Sequence, residues 1–148
     1  MSGTGVFPVN NIKFKVNKAG RTTEPADMVV VKDMETFSIA IDNGVEEWNP
    51  MDQEGWVRRL VTAKSMTVSL NGKRNYGDAG NDYVAGLAYK NGQDCNSQGE
   101  VEFPNGDKLT FDCVMNVTEG GGDSTNVEAL SFEMMSDGKP TYAPAVAG

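Results

Sequence analysis

Residues 64–92 read KSMTVSLNGKRNYGDAGNDYVAGLAYKNG, and this stretch decides the fold class because it passes from a strand pattern through a turn to a helix pattern. Met66, Val68 and Leu70 alternate with Ser65, Thr67, Ser69 and Asn71, giving one apolar face and one face of small polar groups. That period of two predicts a half-buried strand over 64–71. Asn71 and Gly72 tolerate positive φ and predict a turn. Asp78 can then cap a helix whose apolar side is Tyr83, Val84, Leu87 and Ala88, with Asn91 and Gly92 stopping it.

Working outward, the same alternation recurs. Ile12, Phe14 and Val16 alternate with Lys13 and Lys15; a short apolar strand over 28–32 leads into 35–42, where Phe37, Ile39 and Ile41 alternate with Thr36, Ser38, Ala40 and Asp42. A turn at Asn43 and Gly44 is predicted next. Strands over 99–103 and 108–117 flank Pro104-Asn105-Gly106-Asp107 as a hairpin, and 126–135 is the last long strand, with Leu130, Phe132 and Met134 in phase. Residues 18–27 and the glycine-rich 118–124 read as loops. Residues 43–62 hold Pro50 and Gly55 among two Trp and paired Arg, and read as an inter-strand loop or protruding hairpin. One domain spans 1–148, with an N-terminal arm over 1–10 and a Pro/Ala-rich tail over 139–148 that is extended unless a partner orders it. The expected class is mainly β, an antiparallel sandwich or barrel-like fold with one flanking α-helix.

Composition narrows the chemistry. A chain of 148 residues can bury about 70% of its unfolded surface in one core. Histidine is absent, which removes the commonest general base and zinc ligand and rules out Ser–His and Cys–His pairs. No enzyme is expected, and no cofactor. The net charge of −8 is concentrated late in the chain: residues 1–74 hold 10 basic and 9 acidic groups, residues 75–148 hold 3 and 12. A nucleic-acid binder needs the opposite sign. No apolar run approaches the ~20 residues of a membrane helix, and the N-terminus has no charged-then-apolar leader, which predicts a protein made and kept in a cytosol. Two cysteines in such a chain are more often reduced than paired, and Cys113, in phase with Leu109, Phe111 and Met115, reads as a small core residue.

Four short motifs invite chemistry and have plainer readings. GGGDST at 120–125 lacks the Gly-Lys-Ser/Thr of a phosphate loop and reads as a turn. Asp78, Asn81 and Asp82 offer oxygens but not the 12-residue calcium-loop pattern, and helix capping accounts better for Asp78. Glu100 and Glu102 share a strand face without a second half of a site. Asn116-Val117-Thr118 fits a glycosylation sequon, which has no meaning without secretion.

More telling is a property shared by four strands. The faces Thr36/Ser38/Ala40/Asp42, Ser65/Thr67/Ser69/Asn71, Thr110/Asp112/Val114/Asn116 and Ala129/Ser131/Glu133 are short, polar or acidic, with only Lys108 adding a positive charge. An ordinary sandwich with one wet face produces such a pattern too, but exposed strands usually carry longer and basic side chains as well. Short, neutral-to-acidic residues suit the inside of a pore through which phosphates pass.

Three blocks carry a family likeness: WNPMDQEGWVRRL at 48–60, KRNYGDAGNDYVAGLAYKNG at 73–92 and GGGDSTNVEALSFEMMSDGKP at 120–140. Together they resemble the major tail, or tail tube, proteins of long-tailed, non-contractile phages of Gram-positive bacteria. The resemblance implies a structural virion protein, assembled in the host cytoplasm, that forms stacked and six-membered rings. Four strands per subunit join edge to edge into a barrel whose bore conducts genomic DNA without binding it. It implies Asp42, Ser65, Thr67, Ser69, Asp112 and Glu133 as lumen-facing residues, and Trp48, Trp56, Arg58 and Arg59 as inter-ring contacts. Its implied partners are further copies of itself, the tape measure, tail terminator and distal tail proteins, and DNA in transit, with no membrane. The competing expectation is a monomeric β-sandwich module that binds carbohydrate or mediates adhesion.

Overall fold

The computed structural model describes residues 5–21 and 28–144; the start of the predicted arm, most of the 18–27 loop and the end of the tail lie outside them. The described strands are β1 (Lys13–Asn17), β2 (Met28–Val30), β3 (Met34–Trp48), β4 (Arg58–Lys73), β5 (Asn96–Glu102), β6 (Lys108–Gly121), β7 (Ala129–Ser136) and β8 (Thr141–Ala143), with helix α1 (Ala79–Gly86) between β4 and β5. They form one antiparallel sheet in the order β2-β1-β5-β6-β7-β4-β3, and β8 pairs with β6.

The sheet curls on itself. Phe14 of β1 meets Phe37 of β3 with ring centroids 4.9 Å apart, although the two strands lie far apart in the sheet order. The enclosed core is the set that the alternation predicts: Phe14, Val16, Met66, Val68, Leu70, Phe111, Cys113, Met115, Leu130, Phe132 and Met134, closed by Val84 and Leu87 beside the helix. The core and the mainly β class are as read from sequence. Burial holds the Cys113 thiol up at about 12 and keeps it protonated.

Three local expectations, two turns and a loop, are overturned, while 43–62 takes its protruding-hairpin alternative. Asn71 and Gly72 do not turn; β4 runs through both, and Gly72 is buried because a Cβ there would lie 2.2 Å from the Asp33 carbonyl oxygen. The missing side chain serves close backbone approach, not positive φ. Asn43 and Gly44 do not turn either, and most of 43–62 is strand. β3 continues to Trp48 and β4 resumes at Arg58, with a register shift between Gly44 and Val45. Pro50 and Gly55, which made this region look broken, fall in the connecting turn, where Gly55 has φ 88°. The glycine-rich 118–121 extends β6 past an irregularity between Val117 and Glu119. In the tail, Thr141–Ala143 forms β8 on Lys108–Thr110.

Helix α1 is shorter than the pattern suggested, ending at Gly86 before a 3-10 turn over Leu87–Tyr89. Asp78 caps it by accepting from the Asn81 amide at 3.0 Å, and also accepts from the Lys32 amide at 3.2 Å. Gly80 lets the first turn rest on β2, since a Cβ there would sit 2.4 Å from the Val30 carbonyl oxygen. Asn81 is fully buried and fully used. Its Oδ1 accepts from Arg74 Nη1 and the Asn75 amide, both at 3.0 Å, while its Nδ2 donates to the carbonyls of Lys32 at 3.2 Å and Lys73 at 2.9 Å. One side chain thus ties the helix to the ends of two strands.

Candidate functional site: the polar sheet face and the projecting hairpin

The four strands with short polar faces are neighbours, in the order β3-β4-β7-β6. Their register puts those faces on one side of the sheet. Ser38 lies opposite Ser69, Ser69 opposite Glu133, and Glu133 opposite Asn116, a row crossing all four strands. Asp42 faces Ser65, and Thr67 lies between Ala40 and Met135. Asp112 shares the parity of Val114 and Asn116 on β6, so all six residues nominated as lumen-facing occupy this one surface.

Neutral donors hold the acids on this face. The Glu133 carboxylate accepts from Asn116 Nδ2 at 2.9 Å and Ser69 Oγ at 3.3 Å. Asp112 accepts from Gln98 Nε2 at 3.1 Å. Because the partners are neutral, the negative charge stays uncompensated. Besides Lys108, the longer β4 brings Lys73 onto the face at its lower rim, where it pairs with Glu35 at 3.2 Å. Sequence reasoning ended β4 too early to include it. It also missed Met135, 43% exposed beside Val114, because an apolar side chain does not read as part of a polar face. Glu100 pairs with Lys15 at 3.5 Å, a strand-to-strand contact on the neighbouring part of the sheet.

Beyond the body of the sheet, β3 and β4 continue as a two-stranded ribbon whose residues 41–49 and 58–65 are all exposed. Trp48 sits opposite Arg58, whose guanidinium lies 5.8 Å from the indole centroid; Glu47 sits opposite Arg59 and pairs with it at 3.0 Å. Alternation places these two pairs on opposite faces of the ribbon. Trp56 and Met51 occupy the tip, 75% and 97% exposed. The four nominated contact residues therefore cluster at the end of one ribbon, but not on one face of it.

At the opposite end of the sheet a cleft of about 500 Å³ opens between the C-terminal end of α1 and the irregular end of β6, lined in part by Arg74, Tyr76, Tyr89, Glu119 and Glu128. Arg74 pairs with Asp82 at 2.7 Å and stacks on Tyr76 at 4.1 Å. Tyr76 donates to Glu128 at 2.7 Å, and that carboxylate raises the phenol's pKa. Arg74 engages Asp82 Oδ1 and the helix cap engages Asp78 Oδ2, and among the described residues no group of three or more acidic or sulfur ligands is arranged to hold a metal. Nor, among them, is any helix long and apolar enough to cross a membrane.

A sequence model described as phage tail tube protein matches residues 9–142, nearly the whole chain and all three blocks. The chain belongs to the phage tail tube protein family. The family is structural and not enzymatic, so the chain is a building component of a virion tail. No curated protein matches it by sequence. Among solved structures it is similar to a chain from the tail of an empty gene transfer agent particle, refined with C6 symmetry: TM-score 0.76, 12% identity, covering 94% of this chain and 100% of that one. A chain from the virion of a native gene transfer agent particle gives TM-score 0.73 at the same identity and coverage. At such identity the likeness is one of fold.

Proposed function

We propose that this tail tube protein polymerises as stacked six-membered rings whose bore is lined by the β3-β4-β7-β6 face and conducts DNA. The observation that carries the reading is the continuity of that face. Four adjacent strands share one short-chain, acidic surface. On their outer sides, β3 and the C-terminal half of β6 have no strand partner among the described residues. Two open edges on one four-stranded unit are what edge-to-edge joining needs, and pairing them satisfies backbone groups that a monomer leaves to water. An even number of antiparallel strands lets the alternation continue from subunit to subunit. The C6 symmetry of the gene transfer agent tail supports six.

Asp42, Ser65, Thr67, Ser69, Asp112 and Glu133 then face the bore, where fixed negative charge keeps phosphates from adhering. The ribbon bearing Trp48, Trp56, Arg58 and Arg59 makes the ring-to-ring contact. A long non-contractile tail of a phage of Gram-positive bacteria is the setting that the three sequence blocks support. Assembly in the host cytoplasm and contact with tape measure, terminator and distal tail proteins follow from that setting. Negative-stain microscopy of the purified chain across a concentration series tests the reading: hollow rods are expected. A strictly monomeric species under every condition would overturn it in favour of a binding module.

A further inference from the structure

We propose that the tip of the β3–β4 ribbon docks, in a second copy of the chain, into the cleft between the end of α1 and the irregular end of β6. This rests on the ring-stacking reading above and names the surface that receives the ribbon. The argument begins with polarity. β4 starts at the tip with Arg58 and ends at Lys73, opposite Ala129, which in turn faces Gly121. Tip and cleft therefore mark the two ends of the same strands. Copies stacked in one orientation bring the tip of each against the cleft end of the next. Such a contact between unlike patches does not close, and it propagates into a filament.

The two patches also match in chemistry. The tip offers Trp56 and Met51, with Arg58 beside the acids Asp52 and Glu54 and Arg59 paired to Glu47; the cleft offers Tyr76 and Tyr89, 71% and 96% exposed, with Arg74 and the carboxylates Glu119 and Glu128. Stacking on Trp48 holds the Arg58 guanidinium at the tip, ready to meet a carboxylate. Tryptophan and arginine are the side chains that most often anchor an interface, and they do so by filling a pocket. The exposed part of β3 from Asp42 to Trp48 extends ~20 Å at about 3.3 Å per residue, so the tip stands clear of its own sheet and open to a second copy.

The test uses the full chain and two surface substitutions, Trp56→Asp and Tyr89→Asp, with stacking followed by sedimentation velocity and microscopy. Each variant alone should form rings that need about thirtyfold more protein to stack, the loss of one strong anchor. Mixed, they should form ring pairs and stop there, because the Tyr89→Asp ring still has a working tip and the Trp56→Asp ring a working cleft. If Tyr89→Asp stacks like the unaltered chain while Trp56→Asp does not, the cleft is the wrong receiver and the ribbon's stacking role survives. If both variants fail alone and the mixture yields no pairs, the two residues do not share one contact and the proposal falls. If Trp56→Asp stacks normally, the proposal and the stacking role of the ribbon fall together.

Discussion

Reversing the charge of the bore should convert a tube that ignores DNA into one that captures it. Asp42→Lys with Asp112→Lys is the cleanest perturbation, because both carboxylates are exposed on strands. Among the described residues, the side-chain tie it costs is the Gln98 bond to Asp112. Glu133 is a poorer choice, being held by both Ser69 and Asn116. Lysine suits a strand no worse than aspartate, so folding should survive within about 1 kcal/mol. From Thr36 to Asp42 the face spans ~20 Å, along which duplex DNA carries roughly a dozen phosphates. A six-membered ring of the variant presents roughly a dozen new lysines to them. If half engage, about six counterions are displaced and the slope of log K against log salt is about −5. Affinity should then drop about 10³-fold between 50 and 200 mM salt. Rods assembled in the presence of labelled duplex, pelleted and counted across that range, measure it. Variant rods that retain no more DNA than unaltered rods at 50 mM, or whose retention ignores salt, would refute the assignment of this face to the bore.

Three further outcomes follow from the interior. Asn81→Leu keeps the shape but strands the Asn75 amide and two carbonyls, so unfolding by urea should show a loss of about 3 kcal/mol, or about 6–12 °C in Tm; a loss under about 1 kcal/mol would deny it the anchoring role. Gly72→Ala forces a methyl into the Asp33–Met34 backbone and should cost about 2–3 kcal/mol by the same assay, whereas a turn glycine on the surface would tolerate it. Burial raises the Cys113 pKa from an ordinary 9.0 to about 12, so the folded state holds this proton longer than the unfolded chain. Its contribution is fully present below about pH 9 and declines as pH rises toward 12. Denaturation at pH 8 and pH 10.5 should therefore show a larger drop in stability for the unaltered chain than for Cys113→Ala.

How much of this was legible in the sequence depended on whether a rule of period or a rule of chain path was needed. Alternation identified the core residues of β4, β6 and β7 and the polar face opposite them, because burial on one side of a strand imposes a period of two whatever the strand pairs with. Asp78 was legible as a cap for a similarly local reason. The turns failed. Asn71-Gly72 and Asn43-Gly44 look alike to a turn rule, yet one is buried under the start of β3 and the other lies on a ribbon. What distinguishes them is the approach of a distant backbone, which composition does not encode. The same blindness hid Lys73 and Met135. Lys73 lies just past the point where local pattern suggested stopping, Met135 is the last residue of its predicted strand, and each is placed by pairing with strands far along the chain. Asn81 read as one of three calcium-like oxygens until its four partners, all from outside the helix, became visible.

The ribbon shows why such a protein should be read as an assembly and not as a finished monomer. Ile41 lies opposite Met66 and Val45 opposite Val61, with the polar Asn43–Lys64 pair between them, so apolar pairs recur on the core-facing side of β3 and β4 after the body of the fold has ended. Ile41 is 56% exposed, where its in-phase neighbours Phe37 and Ile39 are half-buried. A two-stranded ribbon is at best marginally stable in water, and exposed apolar residues on it gain nothing until something covers them. In the proposed ring, β3 would acquire a second strand neighbour; in the proposed stack, the tip would acquire a floor. Ordering the ribbon and burying its apolar pairs are then contributed by the same contacts that build the tube, so the first ring pays the entropy of ordering and each later ring adds to a template. That coupling favours growth from an existing end over spontaneous nucleation, which is the behaviour a tail of defined origin requires.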